Sequence, residues 1–359
     1  PLMSGGINYG NNSGMAVTSM GNNTLTWETA DQYDFGFDLG FWNGKLNMIA
    51  DVYLKNTNNL LYSMPLHGTS GFTSITNNIG SMRNYGVEFS INGHMNLGKV
   101  NWTSSFNISH NKNKLTKLLG DDLFPIGSNR ALKVGEELGA FYLFQMDGIY
   151  QYDGEVPQPL YDLGVRAGDV KYHDVDNNGI INDSDRVLTG SSNPDFFGGW
   201  NNTFKYKGFQ LDVFFTYMYG NDVYAEWAVT ATRPGYRMAI TEDAAKNRWT
   251  APGSSNKYPR AVNTLCGHNS KNSTRFLEDG SFIRLRSLTF SYTFPQVMLQ
   301  KIRMKGLRLY VQGDNLLFFS KYSGWDPEVS KNMDPQYFGV DLYGVPPSRS
   351  VNFGINLSF

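Results

Sequence analysis

Ser348-Arg-Ser-Val-Asn-Phe-Gly-Ile-Asn-Leu-Ser-Phe359 decides how the rest of the chain is read. Val351, Phe353, Ile355, Leu357 and Phe359 alternate with Ser350, Asn352, Gly354, Asn356 and Ser358. Successive side chains of a strand point to opposite faces, so one face here is wholly apolar and the other wholly polar. Two architectures use such a strand. A soluble sandwich turns the apolar face to a core. A membrane-spanning barrel turns it outward to lipid and lines its lumen with the polar face.

Working outward, composition narrows the choice. The 359 residues include 38 Gly, 21 Tyr, 24 Phe and 7 Trp, a profile of strands and turns rather than helices. A formal net charge of -1 offers no basic surface for nucleic acid. Mean hydropathy is -0.39 and no run of 18 apolar residues occurs, so no membrane helix is expected. Barrel strands escape that test because their hydrophobicity is hidden in alternation. Cys266 is the single cysteine, which rules out an internal disulfide framework. Cys266 and His268 are two potential metal ligands, and two alone make no site.

The alternation of Val351 to Phe359 recurs eight times upstream. Residues 1–25 read as loop. Strands then follow over Tyr33 to Gly40 and Leu46 to Leu54, joined by an Asn43-Gly44 hairpin signal. Others cover Tyr85 to Ile91, Val100 to Ile108, Trp200 to Tyr206, Phe209 to Tyr219, Leu288 to Phe294 and Leu307 to Val311. The connections alternate short and long. Segments 57–79, 110–193, 221–280 and 318–346 are the long ones, and the others are brief turns. Barrels of the bacterial outer membrane have short periplasmic turns and long extracellular loops; a sandwich has no reason to sort its loops by parity. Parity also places the strand-like Gly139 to Tyr150 inside an outer loop, as part of a local hairpin. One short helix is expected over Glu242 to Trp249.

The fold class is therefore all-β, a transmembrane antiparallel β-barrel with long extracellular loops. Nine spanning strands is an odd number, and an open edge is not viable in lipid. Residues 1–359 are thus expected to be the C-terminal part of a larger barrel, with a plug domain and the N-terminal strands elsewhere. The first residue is Pro1, so the start of an exported protein is expected to be missing.

Several stretches carry a family resemblance. They are Asn84-Tyr-Gly-Val-Glu-Phe-Ser90, Gly168-Asp-Val-Lys-Tyr172, Phe276-Leu-Glu-Asp-Gly-Ser-Phe-Ile-Arg-Leu-Arg-Ser-Leu-Thr-Phe-Ser-Tyr-Thr-Phe-Pro295 and Gly313-Asp-Asn-Leu-Leu-Phe-Phe-Ser-Lys-Tyr-Ser-Gly-Trp-Asp-Pro-Glu328. Together they resemble the SusC/RagA-type TonB-linked outer-membrane transporters of Bacteroidetes, over roughly residues 24–359. The final strand, with Asn352, Gly354, Leu357 and Phe359, also resembles the C-terminal assembly signal of outer-membrane barrels. The resemblance implies a plugged barrel of about 22 strands. It implies a SusD-like surface lipoprotein as lid and TonB acting through the plug. The cargo would be oligomeric nutrient, since oligosaccharides and oligopeptides are both imported within that family; the aromatics of the outer loops favour glycan.

Asp174-Val-Asp-Asn-Asn-Gly-Ile-Ile-Asn-Asp-Ser-Asp185 is the sharpest local motif. Its spacing matches an EF-hand-type calcium loop, with Gly179 at the turn. Asp174, Asp176 and Asn178 would offer side-chain oxygens, Ile180 its backbone carbonyl, Asn182 a direct or water-mediated contact, and Asp185 the closing carboxylate. Ca²⁺ would be structural there, bound weakly. The plain alternative is a solvated Asp/Asn turn.

Trp227, Tyr236, Trp249, Tyr322, Trp325, Tyr337 and Tyr343 fall in the long outer segments. Their rings could stack on sugars; they could equally pack the loops. Tyr33, Tyr85, Trp200, Tyr219 and Tyr292 sit at strand ends, where barrels carry an aromatic girdle. The five histidines are scattered, and no catalytic constellation stands out, so no enzyme is expected. The two other classes considered are a surface-attached calcium-binding β adhesin or glycan-binding protein, and an outer-membrane barrel enzyme.

Overall fold

The computed structural model describes residues 2–8, 10, 12–120, 123–235, 238–262, 267–300, 303–333 and 337–359. Its centre is one antiparallel sheet of nine strands. They are β1 (Thr29–Phe41), β2 (Leu46–Pro65), β3 (Ser74–Leu97), β4 (Val100–Leu118), β5 (Phe196–Tyr206), β6 (Phe209–Tyr219), β7 (Phe282–Thr293), β8 (Gly306–Ser320) and β9 (Ser350–Ser358). Every strand pairs with its sequence neighbours, an up-and-down meander with β1 and β9 at the two edges. These are the nine strands expected from alternation.

Register turns the alternation into rungs. Met95, Trp102, Phe204, Leu211, Phe290, Val311 and Phe353 lie side by side across β3 to β9. Phe37, Ala50, Phe89 and Ile108 form another apolar rung. On the same face Phe35, Phe353 and Ile355 are 74%, 82% and 65% exposed, so no layer of described residues covers it. The opposite face is polar and bonded to itself. Asp314 accepts from Gln312 at 2.8 Å, Ser350 at 3.0 Å and Asn352 at 3.1 Å. Asp212 accepts from Thr203 at 2.7 Å and from Gln210. A sheet with one uncovered apolar face and one hydrogen-bonded polar face is a wall between lipid and a wet lumen.

The connections sort as expected. Those at 42–45, 98–99, 207–208 and 294–305 are short, and the last includes a helix at Gln296–Gln300. Lys207 and Gly208 have φ of 43° and 87°, the left-handed pair of a tight hairpin turn. The other ends carry 66–73, 119–195, 220–281 and 321–349.

Two expectations fail in detail. Segment 57–79 is mostly strand, because β2 and β3 continue as a hairpin far past a membrane's thickness. Twenty residues in β2 span about 65 Å. Register shifts at Asn58 to Leu61 and a φ of 56° at Asn59 break the two-residue period there, which hides the strand from a reading of alternation. Residues 1–25 are not all loop either: Leu2–Gly5 pairs with Met15–Ser19.

Buried side chains gather in the outer segments rather than on the sheet. Gly139 to Tyr150 holds two strands, as placed by parity: Ala140–Phe144 pairs back onto the preceding Arg130–Lys133 as a local hairpin, and both strands also pair farther along the chain. Ala140–Phe144 joins Arg186–Ser191, and Met146–Ile149 joins Val170–Tyr172. One buried cluster unites three outer segments: Phe141 and Leu143, Val223, Tyr224 and Phe276, and Tyr322 and Val340. Tyr224 and Val340 are strand partners, and Phe144 N–H donates to Asn272 O at 3.0 Å. The outer segments therefore form one folded cap.

Candidate functional site

Two constellations in the cap carry chemistry. The first is the acidic loop after Val170–Tyr172. Carboxylate oxygens of Asp174, Asp176 and Asp185 lie within 4.8 Å of one another. The backbone shapes the loop around them. Asp174 accepts from Gly179 N–H at 2.7 Å and Asn178 N–H at 3.2 Å, and Asp176 accepts from Asn178 N–H at 3.1 Å. Asn178 Oδ1 in turn accepts from Ile180 N–H at 2.8 Å. Gly179 has φ of +78°, a left-handed turn that favours glycine at the sixth place.

Asp185 is fully buried and takes N–H donors from Val175 at 2.9 Å and Asn182 at 2.8 Å. Asn182 Oδ1 caps the following short helix through Ser184 N–H. Partial burial works against charge on Asp174, but donation from Gly179 and Asn178 outweighs it and holds the carboxyl below the usual aspartate range. Three converging carboxylates are the kind of donor set a hard divalent cation takes.

The second constellation is a cleft of about 600 Å³ between segments 220–281 and 321–349. Trp227, Trp325 and Tyr343 line it, with Ser323, Gly324 and Asp341. Trp325 is 77% exposed and Tyr343 57%. Tyr343 shares a 2.6 Å hydrogen bond with Thr230. Trp227 sits deeper: its Nε1–H donates to Tyr322 at 3.0 Å, and Tyr322 donates to the buried Asp341 at 2.7 Å. Burial and that bond to Asp341 push the Tyr322 phenol well above its ordinary pKa, so it stays a donor at neutral pH. The cleft thus presents two open aromatic faces above a fixed polar wall.

The remaining aromatics lie elsewhere. Trp249 packs over Gly168 and donates to Gln151 at 3.2 Å. Tyr337 packs against the shared buried cluster. Tyr236 and Cys266 lie outside the described residues. Phe359 follows β9 and is 77% exposed, in step with Phe353 and Ile355. The cleft's aromatics stand out in the sequence one by one but not as a group. Nothing in the sequence signals that residues near 227 and near 343 become neighbours.

Comparisons with known proteins bear on the family and the fold. The profile of the family described as "TonB dependent receptor-like, beta-barrel" matches residues 1–316. The chain is 33% identical over 364 residues to TonB-dependent receptor P3 of Formosa agariphila, covering 97% of this chain and 36% of that protein. It is 29% identical over 355 residues to TonB-dependent receptor SusC of Bacteroides thetaiotaomicron, covering 94% and 32%. The fold superposes on the structure of the RagAB peptide transporter with a TM-score of 0.82 at 26% identity, covering 100% of this chain and 38% of that one. The chain spans about a third of the length of these relatives.

Proposed function

The chain belongs to the TonB dependent receptor-like β-barrel family, and from that premise we propose that it serves in active import of nutrient oligosaccharides. It is of the SusC/RagA type, and its nine-stranded sheet is part of an outer-membrane barrel. In this reading TonB drives transport through a plug supplied by the rest of the protein, and a SusD-like lipoprotein covers the outer mouth. The cap described here contributes the recognition surface. The supporting observation is the cleft of Trp227, Trp325 and Tyr343, where two exposed rings face an opening wide enough for sugar units. A calcium ion at Asp174, Asp176 and Asp185, with Asn178, Ile180 and Asn182, would hold the neighbouring loop in shape.

Oligopeptides are the second reading. It is favoured by the likeness to the RagAB peptide transporter.

A strain lacking the gene decides between them. Loss of growth on one class of glycan with normal growth on peptides supports the first reading, and the converse supports the second. Normal growth on every oligomeric substrate its parent uses would end the import reading.

A further inference from the structure

Arg130, in the cap, is a buried cation without a counter-charge among the described residues. It is 5% exposed and takes part in none of their ion pairs. A buried arginine is ordinarily paired with an anion. Burial pushes its guanidinium down to about 10, which leaves it charged at neutral pH. Nη1 donates to Gly139 O at 3.1 Å, and Nη2 donates to Ser192 Oγ at 3.1 Å and to Phe338 O. Its Cζ lies 4.6 Å from the Phe141 ring centroid. A guanidinium carries five N–H donors, so these three bonds leave two without an acceptor among the described residues, Nε–H included. The acceptors are neutral: they hold the group in place and do not cancel its charge. Glu137, in the same segment, is taken by Lys112 at 3.3 Å and by Ser191 at 2.8 Å.

Arg130 and its three acceptors, Gly139, Ser192 and Phe338, all line one cavity of about 280 Å³. It lies where the extended β2–β3 hairpin meets the paired strands Leu123–Ile126 and Arg130–Lys133. Most of the remaining wall is apolar, with Tyr62, Ile79, Met82, Leu115 and Leu132. Ile79, Leu115 and Leu132 belong to one buried cluster, so packing fixes that wall. Leu61 and Leu138 also line the cavity and are half-exposed, which puts its mouth beside them. At about 30 Å³ for each water of the liquid, the space is worth about nine waters. It has room for a ligand of about nine non-hydrogen atoms.

We infer that this cavity is a binding site for a short apolar monocarboxylate, an acid of the size of hexanoate. The carboxylate meets the Arg130 guanidinium, and the alkyl tail lies among Ile79, Leu115 and Leu132. Charge complementarity selects the occupant: one uncancelled positive charge takes one negative charge. The apolar wall excludes sugars and diacids, whose hydroxyls or second charge would be buried without partners. The cavity shares no lining residue with the cleft of Trp227, Trp325 and Tyr343, so the inference stands apart from the cargo reading.

Isothermal titration calorimetry of the intact, detergent-purified transporter tests the site, with empty micelles as the blank. Hexanoate, hexanol and acetate are titrated separately. Hexanoate is expected to bind at least about tenfold more tightly than hexanol, the factor contributed by a hydrogen bond to a charged group. A margin of about tenfold or more is also expected over acetate, which lacks the apolar tail. Arg130→Gln should weaken hexanoate about tenfold or more and leave hexanol unchanged. Leu138→Trp, at the mouth, should weaken both ligands. If Arg130→Gln fails to assemble, Leu138→Trp carries the test, because its side chain sits at the surface. Equal affinity for hexanol would remove the charge contact, and equal affinity for acetate would remove the apolar cavity. Absence of saturable hexanoate binding to the wild type, or wild-type affinity in the variants, would overturn the assignment.

Discussion

Gly354 sits directly opposite Tyr310, and a Cβ built there would lie 2.1 Å from the phenol ring. The ring therefore lies flat over the edge strand β9 and covers backbone that a glycine would leave bare. Tyr53 over Gly86 and Tyr217 over Gly198 repeat the arrangement across other strand pairs. Gly354→Val is expected to destabilise the β8–β9 pairing by about 1–3 kcal/mol, the usual cost of overpacking. Adding Tyr310→Ala should recover most of it. The folded fraction on unheated gels reads both variants, and absence of recovery in the double variant would remove the ring's role. Aspartate 174 makes a second residue-scale case. Its folded pKa lies below the unfolded value near about 3.9, so its stabilisation is complete above that pH. It is lost as pH falls through the lower folded value. Pepsin cleavage within 174–185 should therefore stay low until the pH drops below about 3.9. At neutral pH, Asp174→Ala with Asp176→Ala should abolish any protection that added Ca²⁺ gives this loop, with the barrel intact. Equal protection in the variant would discard the calcium site.

At the scale of elements, Arg284 on β7 ties the sheet to the cap. It is 2% exposed and holds both oxygens of Asp326 at 2.7 Å, while its guanidinium lies 4.7 Å from the Phe318 ring centroid. Asp326 is itself buried, so removing the cation would strand its charge. Arg284→Gln is expected to cost about 3–5 kcal/mol, felt chiefly by segment 321–349. Proteolysis should nick that segment while the barrel remains heat-modifiable; unchanged protection would show that the clamp is dispensable. The elements also explain what the sequence could reveal. Strands with one face to lipid and one to water alternate, so all nine were legible. Ala140–Phe144 is buried on both faces, so it shows a plain apolar run without a period. The acidic loop was legible because its residues are local. The cleft was not, because Trp227 and Tyr343 meet only through tertiary packing. The residues after 57 were obscured by bulges rather than by any lack of strand.

At the scale of the whole molecule, the meander has two edges, β1 and β9, that are unpaired among the described residues. Unpaired backbone groups cannot face hydrocarbon, so these nine strands require others to close a barrel. Expressed alone, residues 1–359 are expected to aggregate or remain unassembled rather than insert as a monomer. Co-expression with the missing strands should rescue insertion, and monomeric insertion of the nine alone would refute the topology.

The cap interlocks its parts: Tyr224 pairs with Val340, Asp169 binds Arg260 at 2.9 Å, and Lys331 reaches Glu226 at 2.8 Å. Each of the three large outer segments is therefore built around surfaces supplied by the others. Exchanging one outer segment at a time is therefore expected to break these seams. A chimera that takes only 119–195 from a relative would inherit a mismatched seam at Phe141 and Leu143 and, on the proposed import reading, lose uptake. One that takes 119–195, 220–281 and 321–349 together should carry the donor's cargo preference intact. Growth of the two chimeras on the donor's substrate measures the difference, and equal success would mean that the three segments evolve as separable modules after all.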